Sequence, residues 1–209
     1  AELAPIVTML PMEDHKAGSD KLSSAGLPTA VSEIRIVNDQ REDCPSGTSG
    51  EIVVRGPHAM QGYWDKPEQT EDALVDGWVF TGDAGYLDSD GYLFIVDRVK
   101  DMVVTGGENV FTTEVENAII SHEGVLDVAV IGIPDEEWGE AVHAIVVLQP
   151  GHVLEAQQLL DHCRERIAGY KLPKSVTFRE EPLPLSGAGK VLKIELRKPY
   201  WEGRDKQVS

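Results

Sequence analysis

A change of hydrophobic period near residue 100 limits what this chain can fold into more than any other feature of the sequence. Before it, short apolar runs are broken by turn residues; after it, helical stripes alternate with strand-like runs. Val31–Val37 and Glu51–Arg55 alternate apolar and polar residues as half-buried strands do, and Ser46-Gly47-Thr48-Ser49-Gly50 between Ile34–Val37 and Glu51–Arg55 reads as a hairpin loop. Pro67–Leu74 predicts a short helix opened by Asp65, with proline in its first turn. Trp78–Phe80 and Tyr92–Val96 predict further strands, the second entered through the turn Ser89-Asp90-Gly91. Beyond Asp101, Thr113-Glu114-Val115-Glu116 has the form of a capping box, and Val115, Ala118 and Ile119 make the apolar stripe of the helix it would start. Strands over Val128–Ile133 and Val142–Leu148 follow, then a helix over Glu155–Ile167 with Leu159, Leu160, Cys163 and Ile167 on one side. A strand at Val176–Phe178 and a final helix after Lys193 close the series. The pattern predicts two domains, residues 1–99 and 100–209, with the boundary in Asp97–Asp101 and an α+β organisation for the second.

A chain of 209 residues can bury one large core or two small ones. Its formal charge of −17 argues against a nucleic-acid surface, because phosphate backbones need clustered lysine and arginine. The acidity is uneven, however. Cys163–Lys198 holds nine lysines and arginines (Arg164, Arg166, Lys171, Lys174, Arg179, Lys190, Lys193, Arg197, Lys198) against four acids, a local +5 that leaves −22 to the rest. Such a stretch suits a polyanionic ligand such as a nucleotide or coenzyme A, or is an ordinary mixed-charge surface. Cys44 and Cys163 are too few and too far apart for a metal knuckle or a disulfide framework, so a reducing cytoplasm is the simplest setting. No run approaches the length of a membrane span.

Three blocks carry candidate chemistry. In Leu185-Ser186-Gly187-Ala188-Gly189-Lys190-Val191-Leu192-Lys193, small residues present Lys190 at a loop tip ahead of a helical pattern, and Pro182 and Pro184 stiffen the approach. A presented ammonium suits phosphate or carboxylate oxygens, although a solvated surface lysine would look the same. Upstream stand Trp78-Val79-Phe80-Thr81-Gly82-Asp83 and Gly91-Tyr92-Leu93-Phe94-Ile95-Val96-Asp97-Arg98-Val99-Lys100-Asp101-Met102-Val103-Val104-Thr105-Gly106-Gly107-Glu108-Asn109. In this order the three blocks resemble the adenylate-forming superfamily, and the Gly-Gly-Glu-Asn version resembles its acyl-CoA synthetase branch. The likeness runs over nearly the whole chain.

The resemblance implies a strand-rich, barrel-like end of the large adenylate-forming domain followed by a small mobile α+β carboxyl-terminal domain. It implies that a carboxylic acid, a fatty acid foremost, is activated as acyl-AMP by ATP with Mg2+ and passed to coenzyme A. The phosphate-binding loop of such ligases would precede Ala1, so the chain alone is expected to be inactive, with the missing amino-terminal part as its partner. An adenylation domain that loads a carrier protein and a non-catalytic binding fragment are the alternatives.

By the same resemblance, Lys190 is the catalytic residue, bridging the carboxylate and the α-phosphate. Asp83 would take the ribose hydroxyls on its two carboxylate oxygens, the alternative being a turn aspartate. Arg98 would be a second ribose and phosphate contact, or else a structural ion pair. Lys100 corresponds to the hinge, and Gly106, Gly107 and Glu108 to the loop that lets backbone approach the pantetheine arm. Trp138, Tyr170, Lys171 and Lys174 match segments along the coenzyme A path, a packed tryptophan being the alternative for Trp138, and Glu2 would help hold magnesium.

Overall fold

In the computed structural model, which describes residues 2–187 and 189–202, the chain divides into two compact units, Ala1–Lys100 and Asp101–Ser209. In the first, β1 (Thr8–Met9) and β2 (Leu27–Pro28) pair as a short ribbon. An antiparallel sheet holds β3 (Glu33–Val37), β4 (Gly50–Arg55), β5 (Leu74–Val75), β6 (Trp78–Leu87) and β7 (Leu93–Arg98). The hairpin expected around Ser46–Gly50 is present, as β3 pairs with β4 in register from Glu33↔Arg55 to Val37↔Glu51. Ile36, Ile52, Val54 and Leu93 form the core of one face, closed by Leu3, Val7, Ile34 and Leu87. The helix α1 (Pro67–Ala73) begins from Lys66 with no side-chain cap, so Asp65 does not open it as its sequence position suggests. Asp65 lies in the left-handed region, φ 55°, and it is Thr70 that ties the first turn, its hydroxyl donating to Lys66 O and accepting from Tyr63 N.

Strand β6 is ten residues long, far beyond the three expected, and the excess carries a candidate site residue. It pairs with β4 through Val53↔Phe80 and then through Glu51↔Ala84, so Thr81, Gly82 and Asp83 together oppose the single residue Ile52. A bulge of this kind bends a strand and re-aims its side chains. Gly82 supplies the φ of +69° that the bulge requires and a side chain resists.

The second unit is built on the long hairpin of β10 (Val125–Asp135) and β11 (Gly139–Leu148). The far edge of β11 carries β12 (Ser175–Arg179) in parallel and, through Gly139↔Thr105, β8 (Val103–Thr105), which pairs in turn with β9 (Glu108–Val110). The near-continuous apolar runs of β10 and β11 have a simple cause: both faces of the sheet are covered. Helices α2 (Thr112–Ile120) and α3 (Ala156–Arg164) bury Val115, Ala118, Ile119, Leu159 and Cys163 against Val128, Val130, Val142, Ala144 and Val146. On the opposite face Leu183, Val191 and α4 (Lys193–Trp201), through Leu196 and Tyr200, cover Ala129, Ile131, Ile145 and Val147. Each fully buried Ile or Leu here contributes about 1.5–3 kcal/mol.

Helix α2 opens ahead of the capping box expected at Thr113–Glu116. It starts two residues earlier than a Thr113 cap would place it, from Phe111, which makes no side-chain cap, and Glu116 accepts the amide of Val130 on β10, 2.8 Å away, and pairs with Lys193. A capping box does open α3, where Glu155 and Gln158 bond each other's backbone amides. Among the described residues no helix is long and apolar enough to cross a membrane.

Candidate functional site

In the first unit, the bulge brings Asp83 opposite Arg98 of β7, the guanidinium Nε 3.6 Å from the carboxylate. Both side chains keep more than two fifths of their surface, at 42% and 48%, so this exposed pair holds the fold by at most about 1 kcal/mol and leaves both groups open to a ligand. The bulge is fastened from beneath. Thr81 donates to Ile52 O and accepts the amide of Asp83, while Glu51 accepts the amide of Gly82 at 3.0 Å. Burial pushes the Glu51 carboxyl above the usual carboxylate value, and the Gly82 amide partly offsets this. Nothing in the strand pattern of Glu51–Arg55 singles out Glu51 for this part.

In the second unit, Gly106 and Gly107 form the two-residue turn between β8 and β9, both with positive φ, +59° and +83°. The turn leans on Trp138: Gly106 N donates to Trp138 O at 3.0 Å, and a side-chain carbon at Gly106 would stand 2.4 Å from the indole. Lys174 lies over the same ring, 5.1 Å from its centroid, and its ammonium is 3.3 Å from Asp135. Asp135 in turn accepts the amides of Glu137 and Trp138, and the Trp138 amide above all holds its carboxyl below the usual range. Gly106, Trp138 and Lys174, far apart in sequence, are thus neighbours, with Asp135 the residue that sequence reasoning overlooked. Glu108 stands exposed at the start of β9.

Tyr170 and Lys171 occupy a single helical turn, Gly169–Lys171, with Tyr170 half exposed. Lys171 is 2.6 Å from Glu114 of α2; burial is the largest single influence and lowers its pKa, but the hydrogen bond and charge of Glu114, with Tyr170 beside it, together leave it raised. Glu2 accepts a hydrogen bond from Tyr63 at 2.9 Å, and among the described residues no group of three potential metal ligands occurs. One carboxylate suits magnesium only where substrate phosphates supply further oxygens. Lys100 is exposed in the turn Val99–Asp101 at the border of the two units.

Lys190 closes a tight loop. Leu185 bridges to Val191, Ser186 N donates to Lys190 O at 2.7 Å, and Lys190 N donates to the Ser186 hydroxyl at 3.1 Å. Ala188 in this loop lies outside the described residues. The local surplus of positive charge in Cys163–Lys198 is largely neutralised in space, since eight of its nine cations stand against carboxylates. Lys190 is the exception among the described residues, and its side chain is exposed.

The chain as a whole has known relatives. Residues 1–64 match the AMP-binding enzyme family and residues 114–190 the AMP-binding enzyme C-terminal domain. The chain is 45% identical over 199 residues to a feruloyl-CoA synthase from an Amycolatopsis species, covering 95% of this chain and 40% of that protein. It is 46% identical over 197 residues to a long-chain-fatty-acid–CoA ligase of Yersinia pestis, covering 94% of this chain and 34% of the ligase. Among solved structures, the o-succinylbenzoate–CoA synthetase of Bacillus subtilis in complex with its acyl-adenylate intermediate is similar with a TM-score of 0.84 and 35% identity, over 99% of this chain and 40% of that one. The chain therefore spans well under half the length of these relatives. With both family domains matched and the Phe80–Asp83, Gly106–Asn109 and Gly189–Lys190 blocks set in that fold, the chain belongs to the adenylate-forming superfamily of AMP-binding enzymes.

Proposed function

We propose that the chain is part of an ATP-dependent acyl-CoA synthetase in which Lys190 is the catalytic lysine. The observation that carries this reading is the isolation of Lys190: within a stretch where every other cation has a carboxylate partner, it alone is presented to solvent without one among the described residues. A carboxylate is a poor electrophile and needs activation before a thiol can attack it. In the first half-reaction a carboxylate oxygen attacks the α-phosphorus of ATP and pyrophosphate leaves. In the second, the coenzyme A thiolate attacks the acyl carbon and AMP leaves. Lys190 bridges the carboxylate and the α-phosphate, offsetting charge that builds as they meet. Asp83 and Arg98 face the ribose, and the Gly106–Gly107 turn with Trp138, Tyr170, Lys171 and Lys174 receives coenzyme A. Glu2 would offer one oxygen ligand to Mg2+, which when bound would supply charge to neutralise the phosphates of ATP.

The fatty-acid assignment draws on the long-chain ligase likeness, which the aryl-directed feruloyl-CoA synthase equals, so alkyl and aryl acids are both candidates. A cytoplasmic setting accords with the free thiols of Cys44 and Cys163. The test is acid-dependent ATP–pyrophosphate exchange by the full-length protein carrying this chain, with a panel of both acid types. Lys190→Ala is expected to depress exchange by about a hundredfold, the scale of losing one preorganised charge stabiliser, while thioester formation from supplied acyl-adenylate changes far less. Equal losses in both half-reactions would remove Lys190 from the catalytic role.

A further inference from the structure

We infer that Lys193 is the positioning residue of the Lys190 loop, held in that role by Glu116. The inference rests on the reading of Lys190 given above. Three positions separate the two lysines, yet their surroundings are opposite. Lys190 is exposed, whereas Lys193 keeps 13% of its side-chain surface, its ammonium 2.7 Å from Glu116 Oε1 and 2.6 Å from the hydroxyl of fully buried Thr112. Glu116 is anchored in turn by the Val130 amide of β10, the strand at the edge of the sheet. The ammonium is therefore locked to a carboxylate that is itself locked to the sheet, with both partners largely out of water, where such a network holds its geometry more firmly than a surface pair.

The consequence falls on the loop. Its outgoing arm is fixed at three successive residues: Val191 packs in the core with Leu183 and Leu196, Leu192 N donates to Pro184 O, and Lys193 is clamped to α2. The tip that carries Lys190 is left open to solvent. Lys193 touches no reacting atom; it sets where the backbone of residue 190 stands. Displacing a catalytic group by about 1 Å can cost on the order of a hundredfold in rate, so a loosened arm reaches the chemistry without any contact being lost there.

The test is Lys193→Met, which keeps the apolar stem and removes the charge, in the full-length protein. ATP–pyrophosphate exchange is expected to fall by about tenfold or more, thioester formation from supplied acyl-adenylate to be retained, and Lys193→Arg to recover most of the exchange. Hydrogen exchange at the amides of Ser186, Lys190 and Leu192 should quicken in Lys193→Met while the β10–β11 amides keep their protection. Should Lys193→Met not fold, Glu116→Gln keeps an acceptor for Val130 and removes only the charge partner, and the same split is expected of it. Equal loss of both half-reactions, or exchange activity kept at the parental rate, overturns the inference. Dependence on Lys190 without dependence on Lys193 removes the inference alone; exchange indifferent to Lys190→Ala removes the underlying reading and the inference with it.

Discussion

His143 illustrates how a single buried polar residue ties a terminal helix to the sheet. It sits on β11 with 3% of its surface exposed, Nδ1 2.7 Å from the Ser175 hydroxyl and Nε2 3.0 Å from the Tyr200 hydroxyl of α4. Burial holds its pKa below the usual 6.5, so the native state favours the neutral ring. A depressed folded pKa contributes stability that is present above the unfolded value and lost as pH falls through the folded one. Thermal stability of the second unit should therefore decline as pH drops below about 6.5, and His143→Gln should flatten that decline when melting is followed between pH 7.5 and 5. An unchanged pH profile in the variant would assign the decline to other groups. Asp83 and Arg98 show the reverse economy: their long, exposed contact adds little to the fold and keeps both side chains available.

At the scale of elements, the Gly106–Gly107 turn is where backbone and side-chain demands can be separated. Both glycines have positive φ, so alanine at either place costs backbone strain, of order 1 kcal/mol. Only Gly106 also faces Trp138; around Gly107 there is open space. Gly106→Ala is accordingly expected to destabilise the chain by about 1–3 kcal/mol and Gly107→Ala by roughly 1 kcal/mol in urea unfolding. Gly106→Ala should in addition weaken coenzyme A saturation in the full-length protein, because the clash displaces the indole that Lys174 covers. Identical losses for the two variants would show that contact with Trp138 plays no part. The bulge at Thr81–Asp83 belongs to the same scale: it is a local insertion in β6 that places Asp83 across from Arg98.

For the whole molecule, the division after Lys100 puts the Asp83–Arg98 pair in one unit and the Gly106 turn and Lys190 loop in the other. Within the second unit the Lys190 loop packs on one face of the sheet and α2 and α3 on the other. If freedom at Lys100 lets the two units serve two half-reactions, Lys100→Pro should fix φ and impair one of them. Adenylation is expected to survive and coenzyme A transfer to fail in single-turnover assays of each step, with Lys100→Ala, unchanged in melting temperature, as the control. A proline variant that carries out both at the parental rate would remove Lys100 as the hinge.

Patterns that depend on neighbours along the chain were legible in the sequence. The hairpin around Ser46–Gly50, the apolar strands of the second unit, the change of pattern near residue 100 and the motifs that hold Asp83, Gly106 and Lys190 follow from local propensity and from residue types that a turn or a ligand requires. What the tertiary structure alone decided are competitions between local and distant partners. Glu116 reads as a cap of its own helix, but in the fold it also accepts the Val130 amide and pairs with the Lys193 ammonium, because an edge-strand amide and a nearly buried charge are costly to leave unpaired. The positive stretch Cys163–Lys198 reads as a patch along the chain, yet Asp101, Glu114, Glu116, Asp135 and Asp161, all outside it, neutralise much of it in space. Sequence separation hides such pairings since ion pairs form by distance in the fold, and it is these pairings that leave Lys190 as the exposed cation of the stretch without a carboxylate partner among the described residues.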